Sequence, residues 1–191
     1  MYRHSLSDGN IFIIGTCIHW FFHPFFCYRY LSTSTYLGED AVHIRCFDND
    51  LPTKKGIRLN LTQARCLSQL FETLDNNVAR AWKAAGAYAE PEYSVPLGWG
   101  TYITVSKFHD VVYYDIRRFW KPPGASDPVA TRRGINLTKP EAQTLAKLLP
   151  SVGTVIPSYN DIDIECWCAG QQNQLAFAQC SRCNPFDYMN W

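Results

Sequence analysis

Little in this 191-residue chain points to a membrane, to a polycation or to a catalyst. The longest apolar run, Ile11 to Cys27 (IFIIGTCIHWFFHPFFC), has 17 residues and is broken by His19, His23 and Pro24. It falls short of the roughly 20 residues that cross a bilayer, so a covered strand is expected there and no membrane partner. Charge of either sign is not in excess. Eighteen Lys and Arg face 17 Asp and Glu, a net charge of +1, which excludes a histone-like binder and confines any nucleic-acid surface to a local patch. A Gly-rich phosphate loop, G-x-S-x-G and H-E-x-x-H are all missing, so an enzyme is not expected. The start, MYRHSLSDGN, lacks the basic and apolar regions of a secretory signal. A reducing intracellular compartment is therefore expected, with thiols free or metal-bound.

Aromatic residues are plentiful. Eleven Phe, 11 Tyr and 6 Trp make 15% of the chain, and 47% of it is hydrophobic. A folded core is assured, and rings remain for a contact surface.

The chain resembles itself. Lys55-Gly-Ile-Arg-Leu-Asn-Leu-Thr-Gln-Ala64 matches Arg133-Gly-Ile-Asn-Leu-Thr-Lys-Pro-Glu-Ala142 at a shift of 78. Tyr30-Leu-Ser32, Tyr36 and Ile44-Arg45 match Tyr102-Ile-Thr104, Phe108 and Ile116-Arg117 at a shift of 72. The six-residue difference fits within the loop between the blocks. Shared order and spacing predict a tandem duplication. Strands are expected over Arg29–Thr35 and Thr101–Lys107, over Ala41–Phe47 and Val111–Trp120, and over Lys55–Leu59 and Arg133–Leu137. Loops are expected at Asp48-Asn-Asp-Leu-Pro52 and at Lys121–Pro128. A helix follows each unit, over 62–85 and 139–149, opened by Asn60 with Gln63 and by Thr138 with Glu141. Leu67, Leu70, Phe71, Leu74, Val78 and Trp82 share one face of the first helix; Leu145, Leu148, Leu149 and Val152 share one face of the second. The fold class is α+β, two units of antiparallel sheet plus helix.

Residues 98–152 carry a specific combination: Tyr102-Ile-Thr-Val-Ser-Lys-Phe108, then Asp115-Ile-Arg-Arg-Phe-Trp120, then Arg132-Arg-Gly-Ile-Asn-Leu137. This stretch resembles the positive-cofactor-four family of transcriptional coactivators. Residues 26–74 resemble it more weakly, through Arg29-Tyr30, Ile44-Arg45 and Lys54-Lys55-Gly56-Ile57. The resemblance implies a curved antiparallel sheet followed by a helix, dimerisation through the helices, and single-stranded DNA bound along the strands in transcription or repair, in the nucleus (the host's, for a viral chain). Two units in one chain would form an intramolecular pseudo-dimer, open to further homo-oligomerisation, with Leu70 and Leu148 buried between the helices. The domain reading is an apolar extension at 1–25, a diverged first unit at 26–90, a linker at 91–97, a second unit at 98–152 and a Cys-rich tail at 153–191.

The residues support that reading by themselves. Sequence-tolerant single-strand binding needs cations along phosphates and rings under bases. Lys107, Arg117, Arg118, Lys121, Arg132 and Arg133 alternate with Phe108, Tyr113, Phe119 and Trp120, and residues 101–147 hold eight Lys or Arg against four acids. From the family, stacking rings fall on Phe108 and Trp120, and cations on Arg117, Arg132 and Arg133. The first-unit equivalents are Tyr36, Arg45, Lys54 and Lys55, but Asp48 stands at the tryptophan position. An acid beside phosphate is unfavourable, so the first unit is expected to bind more weakly or to be mainly structural. Each of these residues also has a plainer reading: Phe108 as core, Trp120 as a loop anchor, Arg117 as the ion-pair partner of Asp115. A module that binds transcription or replication proteins, and an RNA binder, are the alternatives to single-stranded DNA.

Eight cysteines remain to be placed. Cys166-Trp-Cys168 and Cys180-Ser-Arg-Cys183 can close on a structural zinc or stay as buried free thiols. Cys17, His19, His23 and Cys27 read as a core strand before a metal set, and Cys46 and Cys66 as packing residues. Asp161, Asp163 and Glu165 alternate as on a solvated strand edge.

Overall fold

Alternation of apolar and polar residues is strongest in the segments flanking the two Ile-Arg pairs, and these become the central strands. The computed structural model describes residues 12–14, 28–48, 51–85 and 93–163. In chain order the elements are β1 Phe12–Ile14, β2 Tyr28–Tyr36, β3 Glu39–Asp48, β4 Leu51–Asn60, α1 Leu61–Ala85, β5 Tyr93–Gly98, β6 Thr101–Phe108, β7 Val111–Trp120, β8 Val129–Thr138, α2 Lys139–Leu148 and the short α3 Val152–Val155. Two compact units divide them. The first holds β1–β4, the first half of α1, α2 and α3; the second holds the rest of α1 with β5–β8.

The first unit is an antiparallel meander in the order β1-β2-β3-β4. Leu31, Val42, Ile44, Ile57 and Leu59 of the strands are buried in this unit, as are Ala64 and Leu67 of α1 and Ala142, Leu145, Leu149, Val152 and Tyr159. Sequence order would assign α2 to the strands just before it. One contact assigns it elsewhere: the Arg29 guanidinium on β2 pairs with the Glu141 carboxylate. The segment after α2 stays in the same unit, where the Tyr159 hydroxyl donates to the Ala64 carbonyl at 3.3 Å. Arg65 lies over the Tyr159 ring, 5.5 Å from its centre.

The second unit repeats the meander as β5-β6-β7-β8. Leu97, Ile103, Val105, Tyr114, Ile116, Ile135 and Leu137 are buried, as are Leu74 and Val78 of α1. The Tyr114 hydroxyl donates to Asp75 on α1. Burial first, and then this bond, push that hydroxyl well above the usual phenol range. Three hairpin tips carry two successive residues at positive φ: Leu37-Gly38, Trp99-Gly100 and His109-Asp110. Such tight primed turns match the right-handed twist of their flanking strands.

Several expectations change. Residues 91–97 are not all linker, because Tyr93–Gly98 form β5, where Pro96 and the positive-φ Gly98 disguise a strand. The strands at Lys55–Leu59 and Arg133–Leu137 extend to Leu51–Asn60 and Val129–Thr138, since pairing resumes beyond a bulge. Residues 153–163 are not loose tail: α3 and the turn Pro157–Tyr159 pack in the first unit. Asp161 therefore lies in a turn, its amide donating to the Ser158 carbonyl at 3.3 Å, and not on a strand. Leu70 and Leu148 are half-buried; the fully buried places go to Leu67, Leu74, Leu145 and Leu149. The capping box at α1 forms as its sequence implies. Gln63 N–H donates to Asn60 Oδ1 at 2.8 Å, and Asn60 N–H to Gln63 Oε1 at 3.0 Å.

Candidate nucleic-acid interface

Each unit contains the same small device. In β7, Arg117 lies opposite Gly134 of β8, and Tyr102 of β6 flanks it on the other side. A Cβ at Gly134 would come within 2.9 Å of Arg117 Cγ, so only glycine leaves the side chain room to cross the strand. Arg117 Nη1 donates to the Thr131 carbonyl at 2.8 Å. The Thr131 hydroxyl donates to the Arg118 carbonyl at 2.6 Å and accepts from the Arg133 amide at 3.2 Å. These bonds close a bulge: between the pairs Arg117↔Gly134 and Phe119↔Ala130, one residue of β7 opposes three of β8. Bulges re-aim side chains, and here Arg132 and Arg133 are both turned to solvent although adjacent.

The first unit repeats this bond for bond. Arg45 lies opposite Gly56, and its Nη1 donates to the Thr53 carbonyl at 2.9 Å. The Thr53 hydroxyl donates to the Cys46 carbonyl at 2.8 Å and accepts from the Lys55 amide at 3.2 Å. Lys54 and Lys55 are exposed on the bulge. Edge-to-face rings sit beside each arginine, Tyr30 with Phe47 at 4.6 Å and Tyr102 with Phe119 at 5.3 Å between centres. Reading the sequence missed Thr53 and Thr131. Their signal was present in Thr-Lys-Lys-Gly-Ile and Thr-Arg-Arg-Gly-Ile.

The rings singled out from the sequence end up in solvent. Phe108 is 64% exposed at the β6–β7 tip, Tyr36 71% at the β2–β3 tip, and Trp120 55% at the far end of β7. Ten residues of β7, at about 3.4 Å each, separate the two ends of the second unit by about 30 Å. Alternation puts Phe108 on the side of Tyr102, away from the buried Ile103 and Val105. Trp120 has the parity of Tyr114 and Ile116, yet it and Arg118 are exposed, so the buried layer ends at Ile116. Asp48 pairs with Leu51 where Trp120 pairs with Val129.

The cations divide. Arg118, Arg132 and Arg133 are exposed, with no ion pair among the described residues. Lys107 holds Asp110 at 2.7 Å, a bond that keeps the Asp110 carboxyl below its ordinary range. Arg117 is held by Asp115, through Nε at 2.7 Å and Nη2 at 3.0 Å, which raises the guanidinium further.

Cys46 and Cys66 are buried in the core. Cys166, Cys168, Cys180 and Cys183, and also Cys17, His19, His23 and Cys27, lie outside the described residues. Among the described residues no His, Cys, Asp and Glu group could hold a metal, and no helix is long and apolar enough to cross a membrane.

No curated protein matches the chain. Residues 95–148 match the family described as Transcriptional Coactivator p15 (PC4), a span that runs from β5 to the end of α2. Over this stretch, which includes the Arg117 clamp, the basic bulge and both exposed rings, the chain is similar to the p15 (PC4) family of transcriptional coactivators.

Proposed function

We propose that the chain binds single-stranded DNA without strong sequence preference, in transcription or in DNA replication or repair, and that it does so in the nucleus. The observation that carries this reading is the pairing of solvent-facing rings with unpaired cations in the second unit. Phe108 and Trp120 are exposed, and Arg118, Arg132 and Arg133 have no acid within 4.0 Å among the described residues. Exposed bases stack on rings, and phosphates are neutralised by free cations. Duplex DNA hides its base faces and offers less to such a surface.

The recurrence of one clamp in both units supports a tandem duplication, and we read the chain as carrying in one molecule what two copies of a single unit would form. Zinc on Cys166, Cys168, Cys180 and Cys183 belongs to the same proposal. It predicts about one zinc per chain, lost in Cys180→Ser with the two sheets intact. The competing reading, a module for protein partners, draws on Asp48 at the tryptophan position.

An electrophoretic titration of the full chain with single-stranded DNA, duplex and RNA of one length, at two salt concentrations, tests the proposal. Tighter binding of the DNA single strand is expected. RNA binding as tightly would move the assignment to single strands of either sugar, and equal affinity for the duplex would overturn it in favour of the protein-partner module.

A further inference from the structure

The end of the second sheet that carries Trp120 holds another tryptophan. β5 and β6 are joined by a two-residue turn, Trp99-Gly100, between the paired Gly98 and Thr101. Both turn residues are left-handed, Trp99 at φ +50° and Gly100 at φ +70°. Asn-Gly and Gly-Gly suit such a turn, because asparagine and glycine tolerate that backbone. A bulky tryptophan there is strained. Burial does not fully offset the strain, since 40% of Trp99 stays exposed. A large ring held in a strained conformation and left partly in water points to a role in binding.

The strand register sets this residue beside Trp120. Thr101 pairs with Arg118, and the Phe119 amide donates to the Gly100 carbonyl at 2.7 Å. One step further, Trp99 stands abreast of Trp120, whose neighbour on the other side is Val129. All three are exposed, in a row across the strand ends. Among the described residues neither indole packs on another ring, so the two do not satisfy each other. Arg118 lies two positions back along β7, exposed and with no acid within 4.0 Å among the described residues. In the first unit Asp48 and Leu51 hold the places of Trp120 and Val129.

We infer that Trp99 is a further stacking ring, and that with Trp120 it engages adjacent bases of a single strand at this end of the second unit. An indole face accepts any base, and a guanidinium without a counter-ion beside it accepts the phosphate. That combination suits a planar, anionic ligand better than an apolar protein segment, which would leave Arg118 unanswered. The inference rests on the single-strand reading for its ligand, and adds to it a residue carried by a turn and not by β7.

The test uses the full chain with two probes of one length, a single-stranded oligothymidylate and the same deoxyribose-phosphate strand without bases. Low salt lets the abasic strand bind through its phosphates. Trp99→Asn keeps the turn, because Asn-Gly is favoured there, and removes the ring. It should weaken oligothymidylate binding about fivefold or more, as for one lost stacking ring, and leave abasic binding unchanged, which a misfolded chain could not do. Trp99→Phe should keep most of the affinity. Leu37→Asn makes the same change in the β2–β3 turn, also at φ +50°, and should leave both probes unchanged. An equal loss on the abasic strand, or an equal loss from Leu37→Asn, would overturn the stacking role. Oligothymidylate binding indifferent to Trp99→Asn would overturn it too, leave the single-strand reading standing and give the exposed row to a protein partner. A parent that binds neither probe would overturn both.

Discussion

Asp48 and Trp120 occupy the same place in two units built on one plan. The arginine, threonine, glycine and edge-to-face ring pair recur at matching distances, so the scaffold of the bulge is common to both. What differs is chemistry at two positions around it. The second unit has a tryptophan at the strand end and an aspartate on its arginine. The first has an aspartate at the strand end and a neutral histidine beside its arginine. A scaffold held by backbone carbonyls, a threonine and a glycine leaves its flanking positions free to vary. Each unit can then favour rings or charge without losing the bulge that exposes its basic pair.

The sharpest way to separate the units is through the two clamp glycines. A Cβ at Gly56 would lie 2.5 Å from the Ile44 carbonyl oxygen and 2.7 Å from Arg45 Cα, and its φ is +150°. Neither backbone contact can yield, so Gly56→Ala should cost about 2–4 kcal/mol of stability. At Gly134 the three atoms nearest the added carbon, at 2.9–3.0 Å, all belong to the Arg117 side chain. Gly134→Ala should cost about 1 kcal/mol and displace the arginine instead. Denaturant midpoints of the two variants check the order, and equal midpoints would show that the clamps are not closed as described.

Next in size is the basic pair of the second unit. Replacing Arg132 and Arg133 by Gln should lower the single-strand salt slope by about 1.4, about 25-fold at 0.1 M salt, at about 0.7 per phosphate contact. A slope unchanged within error would reduce the pair to a solvated surface.

The smallest expected effect comes from His43. Its folded pKa, about 4, lies below the ordinary value of 6.5. Between those two values the folded chain binds fewer protons than the unfolded chain, so stability is full above about pH 6.5 and falls as pH drops towards 4. The loss should be about 1 kcal/mol once solvent screening at this half-buried site is allowed for. His43→Gln should flatten that part of the stability curve, while Asp115→Asn should not. A parent curve flat from pH 7 to 4.5 would contradict the desolvated placement of the ring.

Local patterns carried much of the fold. β7 begins and ends at Val111 and Trp120 as its β-branched run implies, and the Asn60–Gln63 box opens α1. Both are set by residues within a few positions of one another. What depended on distant partners was hidden. Glu141 reads as the third residue of a cap, yet its carboxylate meets Arg29, 112 residues away. Tyr93–Gly98 reads as a linker because Pro96 and Gly98 weaken it; pairing with β6 makes it a strand. Of the candidate site, the exposed rings and basic pairs were legible from the hairpin and its repeat. The engagement of Arg117 by Asp115 was legible as an alternative reading. The repeated Thr-basic-basic-Gly-Ile marks Thr53 and Thr131 as equivalent, but what each threonine does was hidden, since its role in tying the bulge shut exists once three residues are forced to oppose one.

The central claim is that the rings of the second unit carry the single strand, and the paired affinities of Trp120→Ala and Tyr36→Ala test it most directly. A lost stacking ring costs about 1–3 kcal/mol, so Trp120→Ala should weaken binding of a single-stranded oligonucleotide about five- to a hundredfold. Tyr36→Ala, in the unit where Asp48 replaces the second ring, should cost less. A Trp120→Ala chain that binds like the parent, or a Tyr36→Ala chain that loses more, would contradict the account.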